Sequence, residues 1–381
     1  TPEGQAPSLK SRLPHTWAAF LARHGRPTQA QVRAADPILA GHDVALVAPT
    51  ATGKTEAVLA PVLERALAQA DASGAPLRPT IYVSPTRALA QDMARRLREP
   101  LVDLGLSLGV RTGDHHGVQT RGPLPPLSVV TPETLDALIA RNPAAFPDVG
   151  AIILDEIHLI HGTLRGDQAR ALLARLRRLA GERTVTCHLL SATLRNPALV
   201  AGMYTPAARI ITVEGRRAID AHDVPFDDED GAGALAAALR QAGIRRALAF
   251  ANTRREAEAL AAALTRAWAW GDRVFLHYAG LERHAREATE AEMASGQPGI
   301  VVATSTLEIG IDVGEVEAVI LFGPPPSVQA YVQRVGRGGR RRDKTTVLRV
   351  IRDPEEQVSY DVLHRRAAFG QVEPSLALPL H

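Results

Sequence analysis

Residues 43–55 of the chain have the sequence DVALVAPTATGKT, and this stretch decides the fold. The apolar run at 43–48 predicts a buried strand, and the amphipathic sequence after Thr55 predicts a helix. A loop between such a strand and helix presents backbone N–H groups and a helix N-terminus to an anion. Lys54 would reach the β- and γ-phosphates of a nucleotide, and the Thr55 hydroxyl would bind Mg²⁺. The sequence therefore predicts a phosphate-binding loop.

The loop departs from the usual glycine pattern at two positions. Ala48 replaces the first glycine and Ala51 stands where a second is common, so the loop must turn without the freedom of glycine there. The chain contains three lysines, and one of them is Lys54, where a compact ammonium is needed. The residues predicted to line the nucleotide are Thr50, Ala51, Thr52, Gly53, Lys54 and Thr55.

A pair of carboxylates ends a second predicted strand. Residues 151–158 have the sequence AIILDEIH, so Asp155 and Glu156 directly follow an apolar run. Asp155 would hold Mg²⁺ through its water shell, and Glu156 would polarise an attacking water. Adjacent acids at a strand end also occur as ordinary helix N-cap material. Together with the loop, the pair predicts an ATPase that uses ATP and Mg²⁺.

Composition excludes several classes of protein. The chain has 381 residues, 45% of them hydrophobic and 22% charged, which is typical of two or three globular domains. No apolar run approaches the ~18 residues of a membrane span, so no membrane partner is expected. The single cysteine, Cys187, cannot form an internal disulfide, which fits a reducing, cytoplasmic location. The formal net charge of +3 is too small to establish nucleic-acid binding by itself.

Short apolar strands alternate with amphipathic helices in two blocks along the chain. This alternation predicts an α/β fold of two tandem domains, each a mostly parallel sheet with helices on both faces. The predicted strands are 43–48, 80–84, 127–131, 150–155 and 186–191 in the first block, and 247–251, 273–278, 299–304, 317–323 and 345–351 in the second.

The boundary between the two blocks is predicted near residue 206, which gives domains 1–206 and 207–381. Residues 218–233 combine acidic residues with glycines, a composition that predicts a linker or an exposed loop. The strand-like sequence RIITVEG at 209–215 could belong to either block.

Eight further motifs occur in a fixed order. They are PT (27–28) with Gln31, SPTRAL (84–89), TPET (131–134), SAT (191–193), FANTR (250–254), HYAG (277–280), ATSTLEIGID (303–312) and QRVGRGGR (333–340). In this order, over roughly residues 20–352, they resemble the superfamily 2 helicases, and DEIH resembles the DExH branch. The stretches APTATGKTEA, TSTLEIGIDVG and QRVGRGGR are most similar to the Lhr-like group. Such chains typically continue into a winged helix, so we expect this chain to be a fragment.

The resemblance implies two RecA-like domains, an ATP-binding domain followed by a helicase C-terminal domain, with ATP in the cleft between them. The implied catalytic residues are Lys54, Asp155, Glu156, Arg337 and Arg340, the last two as arginine fingers. The implied ATP contacts outside the loop are Gln31 at the adenine, and Gly310 and Asp312 at the ribose. The residues implied to couple hydrolysis to movement are His158, Ser191, Thr193 and Gln333.

Single-stranded nucleic acid is the expected partner, because polar residues collect at or just beyond the ends of the predicted strands, where open α/β sheets bind ligands. They are Ser84, Thr86, Arg87, Thr131, Asn252, Thr253, Arg254, His277 and Thr304. Short hydroxyl, amide and guanidinium groups suit phosphates rather than base edges. Binding should therefore be independent of sequence and fall steeply with salt. The arginines at 334–342 could alternatively form a solvated surface run.

The leading hypothesis is an ATP-dependent helicase or translocase, with DNA favoured as substrate and RNA as the alternative. The resemblance implies movement from 3′ to 5′; the residues themselves do not show it. A second hypothesis keeps the ATPase but replaces strand separation with remodelling of RNA or of protein–nucleic-acid complexes. An ATPase or kinase unrelated to nucleic acid is disfavoured, because it would have no use for a second block that ends in QRVGRGGR.

Overall fold

The computed structural model describes residues 8–22, 25–49, 52–111, 122–194, 196–213, 218–227, 230–268, 271–308, 316–339 and 344–368. The chain divides into two compact units, the first extending to Gly215 and the second running from Arg216 to Glu373. Each unit contains its own sheet. The change of unit therefore lies downstream of the predicted boundary near 206.

The first unit contains all five strands predicted for it, with two further strands and helices between most of them. Its elements are α1 (Leu9–Arg12), α2 (Trp17–Phe20), α3 (Gln29–Leu39), β1 (Val44–Val47), α4 (Lys54–Ser73), β2 (Thr80–Val83), α5 (Arg87–Asp103), β3 (Leu108–Arg111), β4 (Leu127–Val130), α6 (Pro132–Arg141), β5 (Ala151–Leu154), α7 (Leu164–Ala180), β6 (Thr186–Ser191), α8 (Pro197–Tyr204) and β7 (Arg209–Thr212).

The seven strands of the first sheet pair in the order β3-β4-β2-β5-β6-β1-β7, and all these pairings are parallel. Strands β1, β2, β4, β5 and β6 are buried along their whole length. Their continuous apolar sequences suit a sheet that is covered on both faces. The phosphate-loop strand β1 and the carboxylate strand β5 both pair with β6, so their carboxyl ends lie at one edge of the sheet.

The second unit repeats this architecture. Its elements are β8 (Ala218–Pro225), α9 (Gly231–Gln241), β9 (Arg246–Ala251), α10 (Arg254–Ala267), β10 (Val274–His277), α11 (Arg283–Ala294), β11 (Gly299–Ala303), β12 (Ala318–Phe322), α12 (Val328–Val335), β13 (Lys344–Ile351) and α13 (Pro354–Ala368). The strand order is β10-β11-β9-β12-β13-β8, with every pairing parallel.

The structure corrects the predicted linker. Residues 218–225 form strand β8, which pairs with β13 from Ala218–Lys344 to Pro225–Ile351. The strand order places this segment at an edge of the second sheet. The strand-like sequence that could belong to either block is assigned to the first, because its strand β7 (Arg209–Thr212) pairs with β1 in the first sheet. Strand β3, at the other edge of that sheet, was not predicted from the sequence.

Each sheet has an apolar cluster on each of its two faces. Cys187 is buried in β6, as its apolar surroundings in the sequence predict. Among the described residues, no helix is both long and apolar enough to cross a membrane.

Candidate ATP site and nucleic-acid face

The phosphate-binding loop leads directly into α4. Gly53 has φ 72° and is followed by Lys54, the first residue of the helix. The left-handed backbone favours glycine here, and a Cβ on Gly53 would lie 2.6 Å from the Gln31 side-chain nitrogen, so a larger residue would also displace that amide. Lys54 is buried, and its Nζ donates to the Pro49 carbonyl at 3.3 Å. Thr50 and Ala51 lie outside the described residues.

Gln31 packs against this loop through a helix cap. Thr28 caps α3, and the Gln31 side chain accepts from the Thr28 backbone N–H at 2.9 Å, which completes a capping box. The Thr28 hydroxyl donates to the Thr52 carbonyl at 2.9 Å. This hydrogen bond joins the segment predicted to bind adenine to the loop predicted to bind phosphate. The role of Gln31 at the adenine stays a prediction.

The carboxylate pair lies directly after β5. Asp155 is buried, and its Oδ1 accepts from the Glu156 backbone N–H at 2.8 Å. Its Oδ2 accepts from the Tyr82 hydroxyl at 2.7 Å. Glu156 has φ 44° and is the one non-glycine with a positive φ among the described residues. A left-handed backbone at a bulky residue is strained, and such strain collects at functional sites.

The electrostatics of Asp155 fit a cation site. Burial, followed by the charge of Glu156, raises the pKa of Asp155 to about 7, while the Tyr82 hydrogen bond and Lys54 act in the opposite direction. Thr55 and Asp155 are hard oxygen donors, and Asp155 Oδ2 accepts from the Tyr82 phenol. This donor set suits Mg²⁺, which usually takes one or two protein oxygens and fills its other positions with water and phosphate. Clusters of three or more His, Cys, Asp or Glu ligands are absent from the described part of the chain.

Three of the residues predicted to couple hydrolysis to movement lie together. His158 Nδ1 is 3.1 Å from Ser191 Oγ, and that hydroxyl donates to the Thr193 carbonyl at 2.9 Å. Ser191 has one proton to give, so its oxygen accepts from His158 Nδ1–H. Burial lowers the pKa of His158 below its ordinary value, which favours the neutral ring. His158 Nδ1 also lies 3.4 Å from Glu156 Oε2, which connects the carboxylate pair to the SAT segment.

On the first sheet, the predicted nucleic-acid residues lie at the carboxyl ends of β2 and β4. Thr86 and Thr131 cap α5 and α6 with their side-chain oxygens, while Arg87 is exposed and Ser84 is buried. The two helix N-termini therefore face the same edge of the sheet, an arrangement that favours phosphate binding.

The sequence did not single out Arg165, which connects these two helix starts. Its Nε lies 2.7 Å from Glu133 Oε1 in the first turn of α6. Its Nη1 donates to the Pro85 carbonyl at 3.4 Å, next to the cap of α5. Arg165 thus links the SPTRAL and TPET motifs.

On the second sheet, the predicted nucleic-acid residues differ in their exposure. Thr253 and Arg254 are exposed at the start of α10, and Thr304 is partly exposed after β11. His277 is 2% exposed, and its ring nitrogens lie 2.8 Å from Thr306 Oγ1 and 3.3 Å from Glu290 Oε1. Both His277 ring nitrogens are therefore engaged within their own unit, and a contact of His277 with nucleic acid stays a prediction.

Asn252 is also engaged within its own unit. Its Oδ1 accepts from Arg334 at 2.9 Å, and its Nδ2 donates to the Pro324 carbonyl at 2.9 Å. The side-chain amide thus joins the FANTR and QRVGRGGR motifs. A nucleic-acid contact by the Asn252 side chain would have to use the same amide that bonds Arg334 and the Pro324 carbonyl.

The QRVGRGGR motif is buried where the structure describes it, which contradicts the alternative of a solvated arginine run. Arg334 is 2% exposed, and its Nε donates to Glu308 Oε1 at 2.7 Å. Arg337 is 6% exposed, and its Nη2 donates to the Glu308 carbonyl at 2.7 Å. Gln333 is buried too. Arg340, Gly310 and Asp312 lie outside the described residues.

We predict that Arg334→Met destabilises the protein by about 3 kcal/mol, because it leaves the Glu308 carboxylate buried without its guanidinium partner. Urea unfolding followed by circular dichroism measures the change. Arg254→Met is the matched control: this arginine is exposed and ion-paired to Glu258, so its loss should leave the transition nearly unchanged. Equal unfolding midpoints for the two variants would contradict the structural role of Arg334.

The two units correspond to two conserved helicase domains. Residues 28–200 match the DEAD/DEAH box helicase family, and residues 232–342 match the helicase conserved C-terminal domain. With the loop, the carboxylate pair and the SAT segment assembled on one RecA-like sheet, the chain belongs to the superfamily 2 helicases.

Within that superfamily the chain is similar to Lhr helicases. It is 30% identical to the ATP-dependent helicase Lhr-Core of Methanothermobacter thermautotrophicus over an alignment of 406 positions, gaps included. The alignment covers 96% of this chain and 46% of the relative. It is also 30% identical to the Lhr helicase/probable uracil glycosylase of Mycolicibacterium smegmatis over 399 residues, 87% of this chain and 26% of the relative. The solved structure of the Mycobacterium smegmatis helicase Lhr, bound to ssDNA and AMP-PNP, matches with a TM-score of 0.79 at 28% identity, over 96% of this chain and 51% of that one. The chain thus spans between about a quarter and a half of the length of these relatives.

Proposed function

We propose that this chain is the ATPase core of a helicase that hydrolyses ATP in order to step along a single nucleic-acid strand. The observation that carries the proposal is the continuous arrangement on the first unit. Glu156 lies at the end of β5 beside His158, and His158 is hydrogen-bonded to Ser191 of the SAT segment. Glu156, the carboxylate proposed to act on water, is therefore connected through His158 to the SAT segment. We propose that this segment changes its contacts with the state of the nucleotide.

Each residue of the proposed ATP site has a distinct task. Lys54 binds the β- and γ-phosphates, and the Glu156 carboxylate orients the attacking water and accepts its proton. Thr55 and Asp155 hold the cation. Bound Mg²⁺ neutralises charge that develops on the phosphate oxygens. Two further groups complete the proposed site: Gln31, Gly310 and Asp312 contact the nucleoside, and Arg337 and Arg340 act as arginine fingers on the γ-phosphate.

The link to movement runs through His158. Its Nδ1–H bonds to Ser191 and lies near Glu156, so a change at the γ-phosphate alters the hydrogen bonds available to the SAT segment. Gln333 of the QRVGRGGR motif is the proposed second-unit partner in this coupling. Such a change in a few contacts can bias a two-state element.

Single-stranded DNA is the proposed substrate, with 3′-to-5′ movement in a cytoplasmic setting. The Mycobacterium smegmatis Lhr structure contains ssDNA, which supports DNA. The helix caps Thr86 and Thr131, with the exposed Arg87, Arg254 and Thr253, suit phosphate oxygens rather than base edges. The lone buried Cys187 agrees with a reducing compartment.

We predict that ATP turnover rises on addition of single-stranded DNA, and that the stimulation falls steeply between 50 and 200 mM salt, roughly as a power of salt concentration. Phosphate release with DNA and RNA oligonucleotides of several sequences measures this, and base composition should have little effect. Turnover that ignores both DNA and RNA would contradict a nucleic-acid motor.

Strand displacement on matched 3′- and 5′-tailed DNA, RNA and hybrid duplexes then tests substrate and direction together. Displacement of the 3′-tailed DNA duplex supports the proposal, and displacement of only the 5′-tailed one overturns the direction. ATP turnover without displacement of any duplex would favour the alternative, an ATPase that remodels RNA or protein–nucleic-acid complexes.

A further inference from the structure

The hydroxyl of Tyr82 bonds directly to one of the two residues proposed to hold Mg²⁺. Tyr82 belongs to β2, is 0% exposed, and donates from its Oη to Asp155 Oδ2 at 2.7 Å. Strand β2 pairs with β5, and Tyr82 is in register with Ile153, so the phenol reaches past the end of that neighbouring strand to Asp155.

Packing alone does not explain this hydroxyl. The Tyr82 ring lies in the apolar cluster between the sheet and α3 and α4, where a phenylalanine ring would fill nearly the same volume. A buried hydroxyl is unfavourable unless it forms a hydrogen bond. Tyr360 provides a comparison, because it is equally buried and donates to a backbone carbonyl, that of Leu321, at 2.7 Å. Tyr82 instead donates to a predicted catalytic carboxylate.

The hydrogen bond restricts how the carboxylate can turn. A carboxylate has about four lone-pair positions, and Asp155 uses one on each oxygen, accepting from Glu156 N at 2.8 Å and from Tyr82 Oη at 2.7 Å. With both oxygens held, the carboxylate plane is fixed, and the remaining lone pairs have a defined direction. Loss of the Tyr82 hydroxyl would free one of the two oxygens.

We propose that Tyr82 is a positioning residue for the Mg²⁺–ATP site: its hydroxyl fixes the orientation of the Asp155 carboxylate. The proposal rests on the proposed ATPase function. In this role Tyr82 acts through Asp155 rather than on the nucleotide itself. Its removal should therefore weaken the response to Mg²⁺ and leave metal-free nucleotide binding intact.

Tyr82→Phe tests this, with Tyr360→Phe as the matched control that also removes one buried hydroxyl. AMP-PNP binding is measured by calorimetry in EDTA and over a Mg²⁺ titration, and ATP turnover is measured over the same titration. We expect Tyr82→Phe to bind AMP-PNP normally in EDTA and to need about 10-fold more Mg²⁺ for half-maximal binding, the scale of one hydrogen bond to a charged group. Tyr360→Phe should follow the wild type. Coincident Mg²⁺ curves for wild type and Tyr82→Phe would overturn the proposal.

A double-mutant cycle with Asp155→Asn separates positioning from a general structural effect. If Tyr82 acts through the carboxylate, Tyr82→Phe should have almost no additional effect on Mg²⁺-dependent binding in the Asp155→Asn background. An equal effect in both backgrounds would overturn the proposal. Thermal unfolding of all variants detects misfolding, and the shift of the melting temperature by AMP-PNP with and without Mg²⁺ gives a second readout if turnover is low. Failure of the ATPase proposal looks different: the wild type itself would then not hydrolyse ATP.

Discussion

Glu156→Gln should retain ATP binding while hydrolysis falls by ~10²–10⁴-fold, the usual contribution of a positioned general base. Glutamine has nearly the shape of glutamate, so the strained backbone at φ 44° and the packing around it are preserved. It cannot accept the proton of the attacking water. We therefore expect the loss to appear in kcat, with little change in nucleotide affinity.

Single-turnover hydrolysis and nucleotide-binding titrations, each with and without single-stranded DNA, measure the effect of Glu156→Gln. Glu133→Gln is the matched control, because Glu133 is a half-exposed glutamate of the same unit that pairs with Arg165 away from the loop. In the absence of nucleic acid, that variant should hydrolyse ATP at nearly the wild-type rate. Normal hydrolysis by Glu156→Gln would show that another group is the base.

The same variant also tests the path through His158. The His158 Nδ1–H bonds to Ser191 Oγ and not to Glu156, whose Oε2 lies 3.4 Å from that nitrogen, so glutamine at 156 leaves the His158–Ser191 bond in place. Communication with Ser191 should therefore persist while hydrolysis is blocked. We expect Glu156→Gln to hold single-stranded DNA more stably in ATP than the wild type does, because the ATP-bound state is not consumed.

The central strands could be predicted because a parallel sheet covered on both faces requires continuous apolar strands, and β1, β2, β4, β5 and β6 have them. Edge strands escape this rule. Strand β8 pairs on one side only, so Asp220, His222 and Asp223 can face solvent within it, and the acids suggested a linker. Strand β3 is another edge strand, and it contains Gly109.

The site could be predicted where spacing along the chain determines geometry. Lys54 follows β1 and Asp155 follows β5, and parallel strands bring those ends to one edge of the sheet. A motif does not reveal which way a side chain points. His277 ends β10 on a face that packs against α11 and the segment after β11, so it is buried although its motif suggested an exposed contact. The contact of Tyr82 with Asp155 could not be predicted either. A tyrosine in an apolar strand is expected to be buried, but the sequence does not show which group its hydroxyl bonds.

The two arginines of the QRVGRGGR motif that the structure describes have different bonding partners, which composition could not reveal. Arg334 bonds to the side chains of Glu308 and Asn252, and its guanidinium lies 5.4 Å from the centre of the Phe250 ring. Those contacts fix Arg334 as a structural residue. Arg337 has a different environment, because its guanidinium donates to a backbone carbonyl, that of Glu308. A backbone carbonyl is a weaker acceptor for a guanidinium than a carboxylate is, and Arg337 stays the residue proposed as an arginine finger.

Arg337→Ala should lower ATP turnover by ~10³-fold or more, the scale of an arginine finger, with a modest loss of ATP affinity. A planar guanidinium can meet two oxygens of the transferring phosphate at once, and alanine offers nothing in its place. Arg337→Lys should recover little, because an ammonium restores the charge without the paired donors. Turnover at saturating ATP, together with binding of AMP-PNP, separates a loss of transition-state stabilisation from a loss of ground-state binding.

Two comparisons make the result for Arg337 decisive. Arg254→Ala removes an exposed arginine of the same unit and should leave nucleic-acid-independent ATP turnover near wild type, even if it weakens strand binding. Thermal unfolding shows whether Arg337→Ala is folded at the assay temperature, since Arg337 is 6% exposed and its guanidinium is bonded to the Glu308 carbonyl. A folded Arg337→Ala whose kcat is intact and whose ATP affinity alone has fallen would assign Arg337 to ordinary nucleotide binding, and the second unit would then contribute to hydrolysis through other residues.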